Sequence, residues 1–171
     1  MIIEERVERS QYVKLITWIV SFIILMAGIV FSVLILLVNQ DMMSKVIGAS
    51  VLCLIFFTLI FTVAYQPRKL ILSETHIIME RILGQVYISY SDITDISLYH
   101  RENVAEIRIF GIGGLGGYIG KFYNSKIGFY TAYVGDYSQA FLIKINNREK
   151  YVMSCRHAEK IVEEVKSRLK Q

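Results

Sequence analysis

Six of the eleven glycines fall within ten residues, Gly111 to Gly120, and this cluster is the first candidate for chemistry in the sequence. Residues 111–116 match the G-x-G-x-x-G pattern of dinucleotide-binding loops. Such a site needs a strand before the loop, a helix after it and an acidic residue about 20 positions later. Asp136 has a suitable spacing, but the residues after the cluster are aromatic and broken by glycine, so they do not predict a helix. We therefore expect no dinucleotide site.

Other phosphate-binding loops fit the cluster no better. Gly120-Lys121 is followed by Phe122, where a Walker loop needs Ser or Thr, and position 115 is Leu, where that loop needs its first glycine. A kinase glycine loop is not supported either, because the downstream catalytic motifs of kinases are absent from the sequence. We expect no bound cofactor.

Two interpretations of the glycine cluster stay open. In the first, the glycines permit positive φ and close backbone approach in a long loop between strands. In the second, the loop and its aromatic and basic neighbours dock on lipid headgroups or on a protein partner. The candidate binding residues are Gly111, Gly113, Gly114, Gly116, Gly117, Tyr118, Gly120, Lys121, Phe122, Tyr123 and Lys126.

No residue pattern predicts catalysis or metal binding. Asp92 and Asp95 are three positions apart and are typical of turn capping rather than of a general acid–base pair. Cys53 lies in an apolar segment and Cys155 lies near the C-terminus, so we expect no disulfide. The histidines lack the spacing of a metal site; they are His76, His100 and His157. These features predict a protein that is not an enzyme.

The apolar residues of the 171-residue chain are unevenly distributed. The chain is 54% hydrophobic and 20% charged, yet residues 15–38 and 46–65 hold no charged side chain. As helices, these segments would be about 36 and 30 Å long, enough for a hydrocarbon core of about 30 Å. The first is too long for a signal peptide, whose apolar run is about 7–15 residues. We predict a two-helix membrane hairpin over residues 15–66, which excludes an ordinary cytosolic globule, a disordered chain and a disulfide-dense secreted module.

Basic residues near the segment ends predict the orientation. Lys and Arg concentrate on the cytoplasmic side of membrane proteins, and here they flank the outer ends of both segments, at Arg6, Arg9, Lys14, Arg68 and Lys69. The connector holds one Asp and one Lys. We predict a multi-pass cell-membrane protein with both termini in the cytoplasm and residues 1–14 as an N-terminal cytoplasmic segment. Gly28 and Ser32 form a small-residue pair that fits packing within the hairpin or contact with a second copy.

A domain of short strands and one helix is predicted after Pro67, the only proline. Short apolar runs separated by turn residues indicate strands, and we place them at 69–72, 76–83, 85–90, 96–100, 106–110, 128–134, 140–145 and 150–154. Apolar residues at helical spacing from Ala158 to Leu169 predict an amphipathic helix over 157–170. The order indicates a bent antiparallel sheet or open barrel of about seven strands with a C-terminal helix over one end.

The glycine-rich sequence also resembles a known family. The run from Phe110 to Phe122, with Gly128 and Tyr133 beyond it, is similar to the G-x-G-G-x-x-G-Y-x-G-x-F…G…Y signature of bacterial membrane-anchored PH-like (pleckstrin-homology-like) domain proteins. The resemblance implies a PH-like fold for residues 67–171. Two positions depart from it, because Gly135 stands where Thr is expected and Cys155 stands where Pro is expected.

Charge gives a weak indication of the partners. The net charge of +4 belongs to the residues after Pro67, which hold 15 Lys and Arg against 11 Asp and Glu. That excess is too small for a dedicated nucleic-acid surface. We expect a membrane-anchored scaffold that recruits a protein partner. The alternatives are a sensor of anionic lipid or of envelope state, and an accessory subunit of a transporter or membrane enzyme. A homo-oligomer is also open.

Overall fold

A short strand, two long helices and a strand-rich domain closed by a third helix follow one another along the chain. The computed structural model describes residues 2–38, 41–101, 106–146 and 148–169. The helices are α1 (Gln11–Val38), α2 (Met42–Ala64) and α3 (Ala158–Leu169). The strands are β1 (Ile3–Arg6), β2 (Pro67–Leu72), β3 (His76–Arg81), β4 (Gln85–Ser89), β5 (Ile93–Leu98), β6 (Glu106–Gly113), β7 (Tyr118–Asn124), β8 (Gly128–Val134), β9 (Ala140–Ile145) and β10 (Lys150–Ser154). This order confirms the predicted fold class of two apolar helices before a mainly β domain with a C-terminal helix.

Helices α1 and α2 are long and apolar enough to cross a membrane. The spans are Gln11–Ile35 and Met42–Ala64, with mean hydropathies of 2.7 and 2.6, and only 11% of each span is buried inside the protein. Small residues lie where the two helices pack, since Gly28 faces Ile55 and Gly48 faces Ile35. Helix α1 starts before the predicted residue 15 because Ser10 caps it, with its Oγ accepting the amide hydrogen of Val13 at 3.2 Å.

The segment before α1 is part of the strand-rich domain. Strand β1 pairs antiparallel with β2, in a register that places Ile3 opposite Leu72 and Arg6 opposite Lys69. The sequence analysis treated residues 1–14 as a separate segment, because four residues with mixed charge give no strand signal of their own. The structure extends the domain to Ile3, which packs against the main core.

Two sheets and α3 enclose the main core. The first sheet has the order β1-β2-β3-β4 and the second has the order β5-β9-β10-β8-β7-β6. The pairings that join neighbouring strands are antiparallel except for β8 with β10, which run parallel. Helix α3 buries its apolar stripe, Ile161, Val162 and Val165, against both sheets. The most deeply buried side chains between them include Leu70, Leu72, Ile77, Met79, Phe141, Ile143 and Met153.

The described part of the chain holds more strands than the predicted number of about seven. Strand β1 lies before α1, and the glycine-rich residues form the end of β6 and the start of β7 instead of a long loop. Glycine lowers strand propensity, so the composition of this stretch predicted a loop where cross-strand pairing produces a hairpin.

The contribution of β1 can be measured with two neighbouring isoleucines. Ile3 packs on the core, whereas Ile2 is 67% exposed. Replacing a partly buried isoleucine by serine costs about 2 kcal/mol, which for a chain of this size lowers Tm by about 4–8 °C. We expect that loss for Ile3→Ser in thermal unfolding of the full-length protein in detergent, and almost no change for Ile2→Ser. Equal Tm values for the two variants would contradict the assignment of β1 to the domain.

Candidate functional site

The glycine-rich residues form the end of the β6–β7 hairpin that lies next to α1. Gly111 lies opposite Gly120, Ile112 opposite Ile119, and Gly113 opposite Tyr118. Residues 114–117 make the turn, where the amide of Gly114 donates to the carbonyl of Gly117 at 2.9 Å. The expected long loop is therefore corrected to a paired hairpin with a four-residue turn. Of the candidate binding residues, only Gly114, Gly116 and Gly117 lie in that turn, and Lys126 follows β7.

Gly111 and Gly120 are required by the close approach of β6 and β7. Their φ values are +119° and +121°, which L side chains rarely adopt. A Cβ on Gly111 would lie 2.1 Å from the carbonyl oxygen of Ile119, and a Cβ on Gly120 would lie 2.3 Å from that of Phe110. These two glycines therefore have a structural explanation that needs no ligand.

The turn of the hairpin docks on the start of α1. The amide of Gly116 donates to Thr17 Oγ1 at 2.7 Å, and that hydroxyl donates to the carbonyl of Val13 at 2.6 Å. A Cβ on Gly116 would lie 1.9 Å from Nε2 of Gln66, which is buried between α2 and β2. The turn glycines therefore allow the domain to contact the ends of both membrane helices.

A second contact joins the end of α2 to the domain. The amide of Leu83, in the turn between β3 and β4, donates to the carbonyl of Ala64 at 2.8 Å. The guanidinium carbon of Arg81 lies 5.2 Å from the centroid of the Tyr65 ring and 5.5 Å from that of the Tyr133 ring. These cation–π contacts connect α2 to strand β8.

The two positions that depart from the family signature have structural explanations. The amide of Ser10 donates to the carbonyl of Gly135 at 3.2 Å, and a Cβ on Gly135 would lie 2.2 Å from the carbonyl oxygen of Glu8. The amide of Cys155 donates to the carbonyl of Gln139 at 3.2 Å, a hydrogen bond that proline could not make. Burial raises the pKa of the Cys155 thiol to about 12, so the sulfur is not a ready nucleophile.

One face of the β6–β7–β8 meander is buried against an aromatic cluster. The Phe122 ring stacks on Tyr130 at 5.9 Å, and the Tyr118 ring meets Tyr137 edge-on at 4.8 Å. The Tyr137 hydroxyl donates to Glu106 Oε1 at 2.7 Å. Desolvation by burial raises the pKa of both Tyr130 and Tyr137. The candidate residues Tyr118 and Phe122 therefore pack inside the domain.

The opposite face of the meander carries a cleft of about 570 Å³ with a basic and aromatic lining. Lys121 lies there beside Arg148 and Lys150, from the turn and strand that follow β9, together with Phe129 and Tyr151. The carboxylate in the lining, Glu149, accepts the Tyr151 hydroxyl at 3.0 Å.

The structure brings together only some of the candidate binding residues. Lys121 is in the basic cleft, and the Tyr123 ring contacts Phe129 of the cleft in a tilted arrangement, with ring centroids 5.0 Å apart. Lys126 lies apart, in a different cleft beside Tyr99. Arg148 and Lys150 were not predicted as neighbours of Lys121, because they come close to it only through the parallel pairing of β8 with β10. The sequence feature that could have pointed to them is the excess of basic over acidic residues after residue 107.

Strand β6 forms the outer edge of the six-stranded sheet, and its exposed side chains are mainly apolar, with Arg108 as the exposed charged residue. Ile107, Ile109 and Phe110 are 55%, 54% and 77% exposed. Within the described residues, β6 pairs only with β7, so its second backbone edge is open. A register shift between Arg108 and Phe110 places a bulge in this strand. No group of three His, Cys, Asp or Glu among the described residues could hold a metal ion.

Comparison with known proteins gives one match. The family model described as "Bacterial PH domain" matches residues 68–169, which is more than half of the chain. The matched range starts within β2 and ends at the last residue of α3. Strand β1, α1 and α2 lie outside it. No curated protein and no solved structure matches the chain in the corresponding comparisons.

Two glycines of β6 and β7 provide a matched test of the hairpin. Gly120→Ala places a Cβ against the Phe110 carbonyl at positive φ, whereas the Cβ of Gly113→Ala meets side-chain atoms of Arg108 and Phe122 at ordinary contact distance. We expect Gly120→Ala to lower Tm by more than about 4 °C and to speed amide hydrogen exchange in residues 110–121. Gly113→Ala should change both little. Indistinguishable exchange in the two variants would contradict the paired hairpin.

Proposed function

Because the chain belongs to the bacterial PH domain family, we propose that it is a membrane-anchored, non-enzymatic scaffold that recruits a protein partner at the membrane surface through strand β6. The fold and the two candidate membrane spans support a membrane-anchored module. The exposed edge of β6 and the adjoining basic cleft support the recruiting role.

The exposed edge of β6 is the observation that carries the proposal. An edge strand presents unpaired N–H and C=O groups, which an extended segment of another protein can pair with as an added strand. Natural edge strands are commonly protected by charged side chains or proline. In β6 the exposed Arg108 and the bulge beside it give partial protection of this kind. The three exposed apolar side chains Ile107, Ile109 and Phe110 outnumber that charge, which favours a surface that is covered by a partner.

The adjoining cleft indicates the chemistry of the partner. Lys121, Arg148 and Lys150 outnumber Glu149, the carboxylate in the lining, so the cleft favours negative charge. Phe129 is 67% exposed at the same site and offers an aromatic contact. We expect an extended segment with apolar side chains for β6 and acidic side chains for the cleft.

The membrane hairpin supplies the anchor in this proposal. The Lys and Arg residues at the outer ends of α1 and α2 favour a cytoplasmic location for both termini. The pairing of β1 with β2 supports a common side for the segments that flank the hairpin, since strands in separate compartments could not pair. The domain then stands on the cytoplasmic surface of the cell membrane.

This topology predicts complete protection of the domain in intact cells. A protease added outside should cut nowhere in residues 67–171, and should digest the domain once the membrane is opened. Immunoblotting with a C-terminal tag measures both. Loss of the tagged domain from intact cells would reverse the orientation.

The partner surface can be tested by site-specific crosslinking. We expect a photo-crosslinking amino acid at Phe110 to capture one protein in native membranes, and the same group at Tyr87 to capture none. Tyr87 is the matched control because it is 60% exposed on β4, the edge strand of the other sheet. Phe110→Lys should reduce copurification of the captured protein at least tenfold, since a lysine on an edge strand opposes strand addition, and Tyr87→Lys should leave it unchanged.

Two results would contradict the recruiting role of β6. One is capture of the same protein from both positions, or from neither. The other is a stoichiometric membrane complex in detergent that Phe110→Lys leaves intact, because assembly through the helices favours the accessory-subunit alternative.

A further inference from the structure

A second cleft lies where the membrane hairpin meets the domain. It has a volume of about 510 Å³ and is formed by the segment just before α1 and the segment just after α2. Four cations line it, Arg6, Arg9, Arg68 and Lys69, with Glu80 as the acidic member of the lining. Val7 and Pro67 add apolar surface. The cleft is separate from the partner surface proposed on β6.

Strand pairing builds the cleft from residues that are distant in sequence. Arg6 lies opposite Lys69 in the pairing of β1 with β2, and Lys69 lies opposite Glu80 in the pairing of β2 with β3. These three residues therefore form one row across the outer face of the first sheet. The amide of Val7 donates to the carbonyl of Arg68 at 2.9 Å and holds the connection to α1 against β2.

The acidic residues of the N-terminal segment are paired with cations of the domain. Glu4 pairs with Lys69 at 3.4 Å, Glu5 with His157 at 3.0 Å, and Glu8 with Arg156 at 3.4 Å. Within the described part of the chain, no ion pair or side-chain hydrogen bond involves the three arginines Arg6, Arg9 and Arg68. A segment with balanced formal charge therefore leaves its positive charges in the cleft.

The cleft lies next to the helix ends where the chain leaves the domain and returns to it. Arg9 precedes α1 by two residues and Pro67 follows α2 by three, which places these two members of the lining within about 10 Å of the helix ends along the chain. Ile82 and Leu83 are 52% and 57% exposed in the turn that contacts the end of α2. Their apolar surface fits contact with the interfacial layer of a membrane.

We propose that this cleft binds the phosphate group of an anionic phospholipid from the leaflet that faces the domain. The guanidinium groups of Arg6, Arg9 and Arg68 contact the phosphate oxygens, for which arginine has the matching paired donors. The partly buried Val7 in the lining offers apolar surface to the part of the lipid next to the headgroup. Arg6 and Arg9 lie outside the residues matched by the family model, so the site depends on the segment before the membrane hairpin.

The test uses the full-length protein, purified in detergent and reconstituted in nanodiscs of phosphatidylcholine with phosphatidylglycerol. Native mass spectrometry then counts the lipids that stay bound on release. We expect the wild type to retain phosphatidylglycerol selectively and the variant Arg6→Gln/Arg9→Gln/Arg68→Gln to retain neither lipid preferentially. The affinity for phosphatidylglycerol should fall about 100-fold, since each basic residue near an anionic surface contributes about fivefold.

A control with the same change in charge isolates the site. Lys121→Gln/Arg148→Gln/Lys160→Gln removes three exposed cations outside the cleft and should retain phosphatidylglycerol like the wild type. If this control loses the lipid and the cleft variant keeps it, the proposal is wrong and the basic cleft beside β6 is the lipid site.

A single-residue variant and a competition with inorganic phosphate complete the test. If the triple variant does not fold, Arg9→Gln alone replaces it, because Arg9 lies between β1 and α1 and its side chain has no described partner. Unchanged lipid retention by Arg9→Gln then counts against the proposal. Millimolar inorganic phosphate should not displace the lipid. Displacement would show a site for soluble anions and would overturn the lipid assignment.

Discussion

The pairing of β1 with β2 is the constraint on which the rest of the structure depends. It joins the segment before α1 to the segment after α2 in one sheet. The chain therefore leaves the domain into α1 and returns to it from α2 at neighbouring points. The hydrogen bonds from Gly116 to Thr17 and from Leu83 to Ala64 then fix the domain directly on the helix ends. A domain held at three places has one orientation relative to the helices, where a flexible linker would allow many.

In this fixed orientation, the two halves of the glycine-rich hairpin have different surroundings. Its turn contacts α1, and Gly111 and Gly120 allow the close approach of β6 and β7. The other half of β6, with Ile107, Ile109 and Phe110, is directed away from this contact and remains exposed. The glycines therefore position the exposed strand, and the apolar and basic side chains around it are the surface that we propose a partner covers.

The charged side chains of the segment before α1 also have separate contacts, at the end of the domain next to the two helices. Glu5 and Glu8 reach back to His157 and Arg156 beside α3, while Arg6 and Arg9 face the cleft next to the helix ends. Within β1, alternation places Glu5 and Arg6 on opposite faces. Glu4, on the Arg6 face, pairs with Lys69 of the cleft. The acidic side chains of this segment therefore hold it to the domain, while Arg6 and Arg9 line the cleft.

Sequence alone predicts the two apolar spans, the strand-rich domain, the amphipathic C-terminal helix and the family resemblance, because each depends on local composition, periodicity or a contiguous motif. Three features emerge only in the folded protein: the strand Ile3–Arg6, the contact of the glycine-rich hairpin with α1, and the proximity of Lys121 to Arg148 and Lys150. Those facts depend on partners between about 25 and 100 residues away in the chain, and β pairing across such separations leaves little trace in the local sequence of either strand.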